Sequence, residues 1–199
     1  MRRLVKDEPA LEPEVADPGS AWMLRYQRGD EHAFDLLVET YSPRIHALLT
    51  RFLGDAPQRE DLLQEVFLRV IRARRRYVAE GRFSTWLYSI VFHLCVNETE
   101  RRRPASSLAD DEEGEWLDER VARPEAALER GDRVQAVRSA IAALPPRQRM
   151  ALLLAKYEEL SLEEVARAVG STEKAVKSMV HRARETLRAR LAPFLEESA

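Results

Sequence analysis

The stretch SLEEVARAVGSTEKAVKSMVHRARETLRARL, residues 161–191, decides the fold of the C-terminal part of this chain. Apolar residues recur at helical spacing on both sides of Gly170, a residue type that tolerates the left-handed conformation at a helix end. Ser171 or Thr172 can accept the first free N–H groups of the helix that follows. The stretch therefore predicts two short helices joined by a tight turn, which is the layout of a helix-turn-helix.

The second of these predicted helices has a basic outward face. Its inward stripe consists of Val176, Val180, Ala183 and Leu187. The outward face consists of Glu173, Lys174, Lys177, Ser178, His181, Arg182 and Arg184. Residues 171–191 contain six Lys or Arg against two Glu, the charge expected of a helix that lies beside phosphates. The N-terminal half of such a helix faces base edges in the major groove, so this segment predicts DNA binding.

Charge is unevenly distributed along the chain. Its 199 residues are enough for two small domains, and 45% hydrophobic with 33% charged residues is a globular composition. The formal net charge is only -2, but residues 69–103 carry nine Arg against three Glu. Residues 105–129 carry nine acids against two Arg. The pattern predicts two basic domains separated by an acidic linker.

Several kinds of site are not predicted. The single cysteine, Cys95, cannot form an internal disulfide, and the four histidines lie on separate predicted elements without metal-ligand spacing. We therefore expect no metal and no cofactor. The N-terminus lacks the apolar run of a signal peptide, and no window holds about 18 apolar residues, so we expect a cytoplasmic protein.

Four predicted helices occupy residues 20–104. Residues 1–19 are rich in Pro and charge and predict a disordered leader. Gly and Pro residues separate the helical runs, and Pro43 predicts a kink near Ser42. Ser84 or Thr85 is predicted to cap the fourth helix.

The second domain is predicted at residues 130–199, after a flexible acidic linker at 105–129. Two further helices precede the helix-turn-helix, the first with the inward stripe Val134, Val137, Ile141 and Leu144. No alternating strand pattern occurs. The sequence therefore predicts an all-α fold of two small helical domains.

Three motifs together resemble the sigma-70 family, in its extracytoplasmic-function (ECF, group 4) form. DLLQEVFLRV at residues 61–70 is similar to region 2.2 of that family. GRFSTWLYSIVFHLCVNETERRR at 81–103 is similar to regions 2.3 and 2.4, and the segment at 144–184 to region 4. The resemblance implies a sigma factor of bacterial RNA polymerase, located in the cytoplasm and associated with the nucleoid when bound to polymerase.

The resemblance also implies roles for particular residues. Asp61, Gln64 and Glu65 would bind the clamp coiled coil of the largest polymerase subunit, and region 4 the flap region. The residues implied at the minus 10 element are Arg75, Arg76, Arg82, Phe83, Ile90, His93, Arg101, Arg102 and Arg103. Strand opening needs apolar walls around a flipped base and cations along the single strand, which these residue types supply. Trp86, by contrast, is expected in the core beside Ile90.

By the same resemblance the residues expected at the minus 35 element are Lys177, Ser178, His181 and Arg182, with Lys174 at the edge. This chain departs from the family at four places. His93 stands where Asn is usual, Asn97 where Asp is usual, Met179 where Arg is usual, and Lys174-Ala175 where a Gly-Thr pair is usual. We therefore expect base preferences that cannot be copied from a relative.

Two other classes of function remain as alternatives. A dimeric helix-turn-helix regulator would bind duplex DNA without polymerase, but it would not need the segment at 81–103. An enzyme acting on nucleic acid is disfavoured because no histidine or carboxylate cluster suggests a catalytic site. For regulation, either an anti-sigma factor clamps both domains, or the acidic linker follows the path of nascent RNA through the polymerase.

Overall fold

The computed structural model describes residues 17–54, 56–102 and 130–196, and every regular element among these residues is an α-helix. The helices are α1 (Pro18–Gln27), α2 (Glu31–Leu53), α3 (Arg59–Ala73), α4 (Phe83–Arg101), α5 (Arg130–Ala142), α6 (Pro146–Tyr157), α7 (Leu162–Val169) and α8 (Glu173–Glu196). The all-α prediction is confirmed. The predicted acidic linker at 105–129 lies outside the described residues. None of the described helices is long and apolar enough to cross a membrane.

Helix α2 is the central element of the N-terminal domain, which α1 to α4 form. Its buried residues recur every three or four positions from Ala33 to Phe52, so one face of the helix is turned towards the core. Pro43 lies on the exposed face of this helix. Proline has no N–H, so one helical hydrogen bond is missing on the solvent side of α2. The helix continues through this position to Leu53.

An aromatic cluster joins α2, α4 and the loop between α3 and α4. The ring centroid of Phe83 lies 5.2 Å from that of Tyr41, 5.9 Å from that of Tyr77 and 5.4 Å from that of Trp86. Trp86 packs against the core as predicted. A Cβ atom at Gly19 would lie 2.5 Å from both Phe83 and Tyr41, so only glycine lets α1 approach this cluster.

The start of α4 differs from the prediction that Ser84 or its neighbour caps the helix. The helix begins at Phe83, whose N–H donates to Ser20 Oγ at 3.1 Å. The N–H of Ser84 donates to Asp17 Oδ2 at 2.7 Å. Both caps therefore come from the segment around α1, and the predicted local cap is wrong because Ser84 already lies inside the helix.

Asp17 also corrects the boundary of the predicted leader. Its Oδ1 accepts the N–H of Gly19 at 3.2 Å, so the residue caps α1 as well, and the Tyr41 hydroxyl donates to the same oxygen. Burial opposes ionisation of Asp17, but the hydrogen bonds from Tyr41, Ser84 and Gly19 outweigh it and lower the pKa of the carboxyl. Residues 17–19 therefore belong to the folded domain.

The predicted helix-turn-helix is confirmed in α7 and α8. Gly170 ends α7 in the left-handed conformation with φ of 62°, and the N–H of Ala175 donates to Thr172 Oγ1 at 3.2 Å at the start of α8. Ser161 and Glu164 form a reciprocal capping box at the start of α7. The buried stripe of the two helices consists of Val165, Ala166, Ala168, Val169, Val176, Val180 and Ala183.

Only half of the predicted inward stripe of α5 is buried. Ile141 is buried, as is Leu144 just beyond the helix, but Val134 is 52% exposed and Val137 40% exposed. These two valines line an open groove of about 600 Å³, and Tyr157 also lines it. The first half of α5 has an apolar face as predicted, but Val134 and Val137 stay exposed in a groove whose other side is formed by α2.

The two domains pack directly against each other. Helix α7 lies on α4, while α5 and α6 lie on α2. The described part of the N-terminal domain ends at Arg102, and that of the C-terminal domain begins at Arg130.

Candidate nucleic-acid interface

The polar face of α8 is a continuous exposed surface. Val176, Val180 and Ala183 hold the helix on α6 and α7 through their buried side chains. The side chains predicted to contact the minus 35 element are all exposed, and they are Lys174, Lys177, Ser178, His181 and Arg182. Positions separated by three, four, seven and eight residues share one side of a helix. The structure therefore brings these residues together on one surface, with the geometry of a helix that can enter a major groove.

A second basic surface surrounds the loop between α3 and α4. Arg75, Arg76 and Arg82 are exposed there. On α4 itself, Ile90 is partly buried and His93 is exposed. These residues combine cations with an apolar side chain and an imidazole, as single-stranded DNA requires.

His93 has a defined ring orientation. Its Nδ1 lies 2.6 Å from the backbone oxygen of Ser89, one helical turn earlier. A carbonyl can only accept, so Nδ1 carries the proton and donates. In the neutral ring the exposed Nε2 is then the acceptor.

Phe83 does not belong to this surface. Its side chain has 0% exposure and lies among the rings of Tyr41, Tyr77 and Trp86. The ring cannot reach a base from that position, which corrects its place among the residues expected at the minus 10 element. Its contribution is to hold the start of α4 against α2.

The arginines at the end of α4 are paired with an acid, Glu98, that is not among the predicted site residues. Glu98 is buried, with one carboxylate oxygen 2.6 Å from Arg101 Nη2 and the other 2.8 Å from Arg102 Nε. Arg102 also donates to the Gln58 side chain at the start of α3. Arg103 lies outside the described residues. The spacing of Glu98 from the two arginines, three and four residues, is a signal that could have revealed this pairing.

The residues expected to contact polymerase share the exposed side of α3. Asp61 and Gln64 are exposed, and Glu65 Oε1 lies 2.9 Å from Arg69 Nε and 3.3 Å from Arg72 Nη1. The hydrogen bond from Arg69, assisted by Arg72, lowers the pKa of the Glu65 carboxyl. Asp61 and Glu65 line a cleft of about 390 Å³ between α3 and α4, and Gln64 lies on the same side of α3.

The four histidines lie on three helices. His32 and His46 share α2, which corrects their placement on separate predicted elements. Fourteen positions separate them, or about 21 Å along a helix axis. His93 and His181 lie on α4 and α8.

Comparison with known proteins identifies both domains. Residues 37–104 match the family model for Sigma-70 region 2, and residues 134–187 match that for Sigma-70, region 4. The chain is 35% identical over 181 residues to the RNA polymerase sigma-H factor of Pseudomonas aeruginosa, covering 87% of this chain and 94% of that protein. It is 33% identical over 180 residues to the ECF RNA polymerase sigma-E factor of Escherichia coli, covering 86% and 93% respectively.

Two solved structures share the fold. The structure of CnrH in complex with the cytosolic domain of CnrY matches with a TM-score of 0.68 at 20% identity, covering 89% of this chain and 99% of that one. The sigma factor RpoE of Bartonella quintana, solved with the anti-sigma factor NepR, matches with a TM-score of 0.61 at 20% identity, covering 80% and 96%.

Proposed function

Since the chain belongs to the ECF group of the sigma-70 family and is an RNA polymerase sigma factor, we propose that its two domains divide promoter recognition between α8 and α4. Helix α8 reads the duplex of the minus 35 element. The loop between α3 and α4, with α4 itself, captures and opens the minus 10 element. Core RNA polymerase holds both domains.

The observation that carries this proposal is the presence of two separate basic surfaces on two helical domains. A regulator that binds only duplex DNA needs the face of α8 alone. A protein that also opens DNA needs a second surface with cations and an apolar wall, which Arg82, Ile90 and His93 supply. Family membership likewise disfavours the alternative of a dimeric duplex-binding regulator.

We assign contact with the minus 35 element to Lys174, Lys177, Ser178, His181 and Arg182. The lysines and Arg182 neutralise phosphates, which supplies affinity without sequence information. Ser178 and His181 lie between them on the same face and supply groups that can read base edges. The minus 35 preference of this chain therefore depends on one hydroxyl and one imidazole flanked by cations.

We assign contact with the minus 10 element to Arg75, Arg76, Arg82, Ile90 and His93. With Nδ1 of His93 directed at the backbone oxygen of Ser89, Nε2 is the ring nitrogen left to contact a base. Arg101 and Arg102 remain assigned to phosphates, with part of their charge offset by Glu98. Arg103 keeps the same assignment from its motif.

Asp61, Gln64 and Glu65 are assigned to the polymerase clamp coiled coil. Two acids and an amide on one side of α3 present acceptors to a basic partner, and such pairing fixes orientation. Within this assembly the protein acts as a transcription initiation factor in the cytoplasm and performs no covalent chemistry itself. We further infer control by an anti-sigma factor that occupies both domains, a mode of binding that the compact arrangement of the domains permits.

One experiment tests the assignment as a whole. Core polymerase is mixed with the purified full-length chain and a pool of promoters randomised at both elements, and the run-off transcripts are sequenced. We expect initiation at defined sites carrying two enriched sequence blocks at promoter spacing. Initiation without a minus 35 block would contradict the role of α8, and no initiation at any defined site would contradict the whole proposal.

A further inference from the structure

The open groove between α2 and α5 has an apolar centre. Val134 is 52% exposed, Val137 is 40% exposed and Tyr157 is 46% exposed, and all three line it. Its volume of about 600 Å³ lies within the range of about 300–1,000 Å³ that is usual for ligand sites of proteins. Adjacent exposed apolar side chains in a concave surface are typical of a binding site rather than of a solvated helix face.

The rim of this groove is positively charged. Arg133 and Arg138 on α5 and Arg51 on α2 line it and are exposed, whereas no acidic residue of the described part of the chain lines it. The Arg51 guanidinium lies 4.3 Å from the centre of the Tyr157 ring, so a flat cation and an aromatic ring stand side by side. The groove therefore suits an occupant that combines an aromatic side chain with negative charge. We call it the α2–α5 groove and define it by Arg51, Arg133, Val134, Val137, Arg138 and Tyr157.

The acidic linker contains one segment of that composition. Residues 110–119, DDEEGEWLDE, hold seven acids, no Lys or Arg, and a single apolar pair, Trp116-Leu117. Trp116 is also the only aromatic residue between positions 103 and 129. An indole with acids on both sides matches a groove that has an apolar centre and a cationic rim.

Both attachment points of the linker lie beside the groove. Arg102, just after α4, donates to the side chain of Gln58. The next residue, Arg59, donates from Nη1 to Thr50 Oγ1 at 3.3 Å, and Thr50 itself lines the groove. At the other end of the linker α5 begins at Arg130, and the first half of this helix lines the groove. The groove thus lies between the two points from which the linker departs.

The length of the linker is sufficient for Trp116 to reach the groove. Trp116 stands 14 positions from Arg102 and 14 positions from Arg130. Fourteen residues span up to about 48 Å when extended. Val137 lies only about 10 Å along α5 from Arg130. A short tether also gives an effective concentration of about millimolar, so a contact too weak to hold a separate peptide is enough to hold this segment.

We propose that the α2–α5 groove is an intramolecular docking site for Trp116 and Leu117 of the acidic linker. The indole packs against Val134, Val137 and Tyr157, while the acids on either side of it face the arginines of the rim. Docking gives the linker one defined course over the surface of the free chain. The inference goes beyond the proposed function and does not depend on it, since the docking involves neither polymerase nor DNA.

Fluorine NMR of the full-length chain tests the docking. Fluorotryptophan labels Trp22, Trp86 and Trp116, and Trp116→Phe assigns the third resonance. The change in chemical shift between H2O and D2O measures how far water reaches each indole. We expect a small change for Trp116 in the folded chain and the full change in urea. Trp22 and Trp86 pack against the core, so their resonances establish that each variant remains folded.

Two groove variants should release the indole. Val137→Gln removes apolar surface at an exposed position where glutamine favours the helix, and we expect the ratio of docked to free Trp116 to fall about tenfold, the scale of one apolar side chain lost from a contact. For Arg138→Glu we expect a fall of about threefold, as for an exposed ion pair, and a smaller fall in about 1 M salt. The matched control is Gln135→Glu, which adds a negative charge at an exposed position of α5 outside the groove and should leave Trp116 unchanged.

An exchange of charges tests the pairing directly. Glu115→Lys with Asp118→Lys should release Trp116 from the otherwise unchanged groove. The same linker combined with Arg133→Glu and Arg138→Glu should dock again, because its lysines then face acids. Mere damage to α5 would not be repaired by a second change in the linker.

Three results would overturn the proposal. The first is a Trp116 resonance that shows the full solvent effect in the wild-type chain, which would leave the groove for another occupant. The second is protection of Trp116 that survives both groove variants, since the indole would then bind elsewhere. The third is protection that rises with protein concentration, because the linker of a second copy would then fill the groove. Failure of the chain to direct initiation would contradict the proposed function without altering any of these readings.

Discussion

Asp17→Ala is the most informative stability variant, because one carboxylate serves the start of two helices. Its oxygens accept the N–H groups of Gly19 on α1 and Ser84 on α4, together with the Tyr41 hydroxyl. Alanine removes all three acceptor contacts and leaves the groups in a site where Asp17 itself is 8% exposed. Water therefore cannot easily replace the lost carboxylate.

The expected cost follows from the partners. Loss of a helix cap costs about 1 kcal/mol, and α1 and α4 each lose one. A buried hydroxyl that loses a charged acceptor costs about 1.5–3 kcal/mol. The three contacts share a single side chain and are not independent, so we expect about 3 kcal/mol in the free energy of unfolding.

Urea unfolding of the full-length chain, followed by helical circular dichroism, measures this cost. Asp30→Ala is the control, because Asp30 caps one helix, α2, through the N–H of Ala33 at 3.3 Å. Its other contact is an exposed ion pair with Arg25 at 2.7 Å, which contributes little to stability. We expect about 1 kcal/mol for the control. Tyr41→Phe should fall between the two, since it removes one donor and keeps both caps. If Asp17→Ala costs no more than Asp30→Ala, the double cap does not stabilise the fold as argued.

The same residue predicts a pH dependence. The pKa of Asp17 is lowered by folding from its ordinary value of 3.8. A carboxyl with a depressed folded pKa stabilises the protein fully above its unfolded pKa, and this stability is lost as pH falls through the folded pKa. The difference between wild type and Asp17→Ala should therefore be constant near neutral pH and shrink below about pH 4. A difference that grows on acidification would contradict the assigned ionisation.

The remaining predictions concern the proposed surfaces. Lys177→Ala with Arg182→Ala should weaken binding of the holoenzyme to promoter DNA. The slope of log affinity against log salt concentration should fall in magnitude by about 1.8, at about 0.9 per lost phosphate contact. An unchanged slope would mean that these two α8 residues do not contact the DNA phosphates. Asp61→Ala with Glu65→Ala should abolish co-elution with core polymerase while the circular dichroism spectrum stays unchanged, and retained co-elution would exclude them from the interface. His93→Asn should change the preferred base at one minus 10 position among sequenced run-off products, and an identical profile would make the imidazole purely structural.

The sequence predicted those parts of the fold that depend on neighbours in the chain. Gly170, Thr172 and the spacing of valines in α7 and α8 are local signals, and each has the predicted role in the structure. The exposed face of α8 follows from the same periodicity. Helix boundaries were less certain where a distant residue contributes the cap. Asp17 lies 67 positions from Ser84, and neither segment contains a local sequence signal that predicts the contact.

The site was predicted less completely for the same reason. Phe83 follows an arginine-rich loop and resembles a base-contacting aromatic, but Tyr41 and Tyr77 enclose its ring once α2 and α4 pack. The apolar stripe of α5 gave the correct face without revealing that Val134 stays uncovered. Periodicity identifies which side of a helix is apolar, whereas tertiary packing decides whether another element covers it.

Glu164 shows how one residue can satisfy a local rule and conceal a distant role. A capping box needs Glu or Gln at the third helical position, and Ser161 finds that partner in Glu164. Either side chain would complete the capping box, and the positive end of the helix dipole adds a local preference for the acid. Only the carboxylate can form an ion pair with Arg82 across the domain boundary. The charge of Glu164 thus serves both the start of α7 and the contact between the domains.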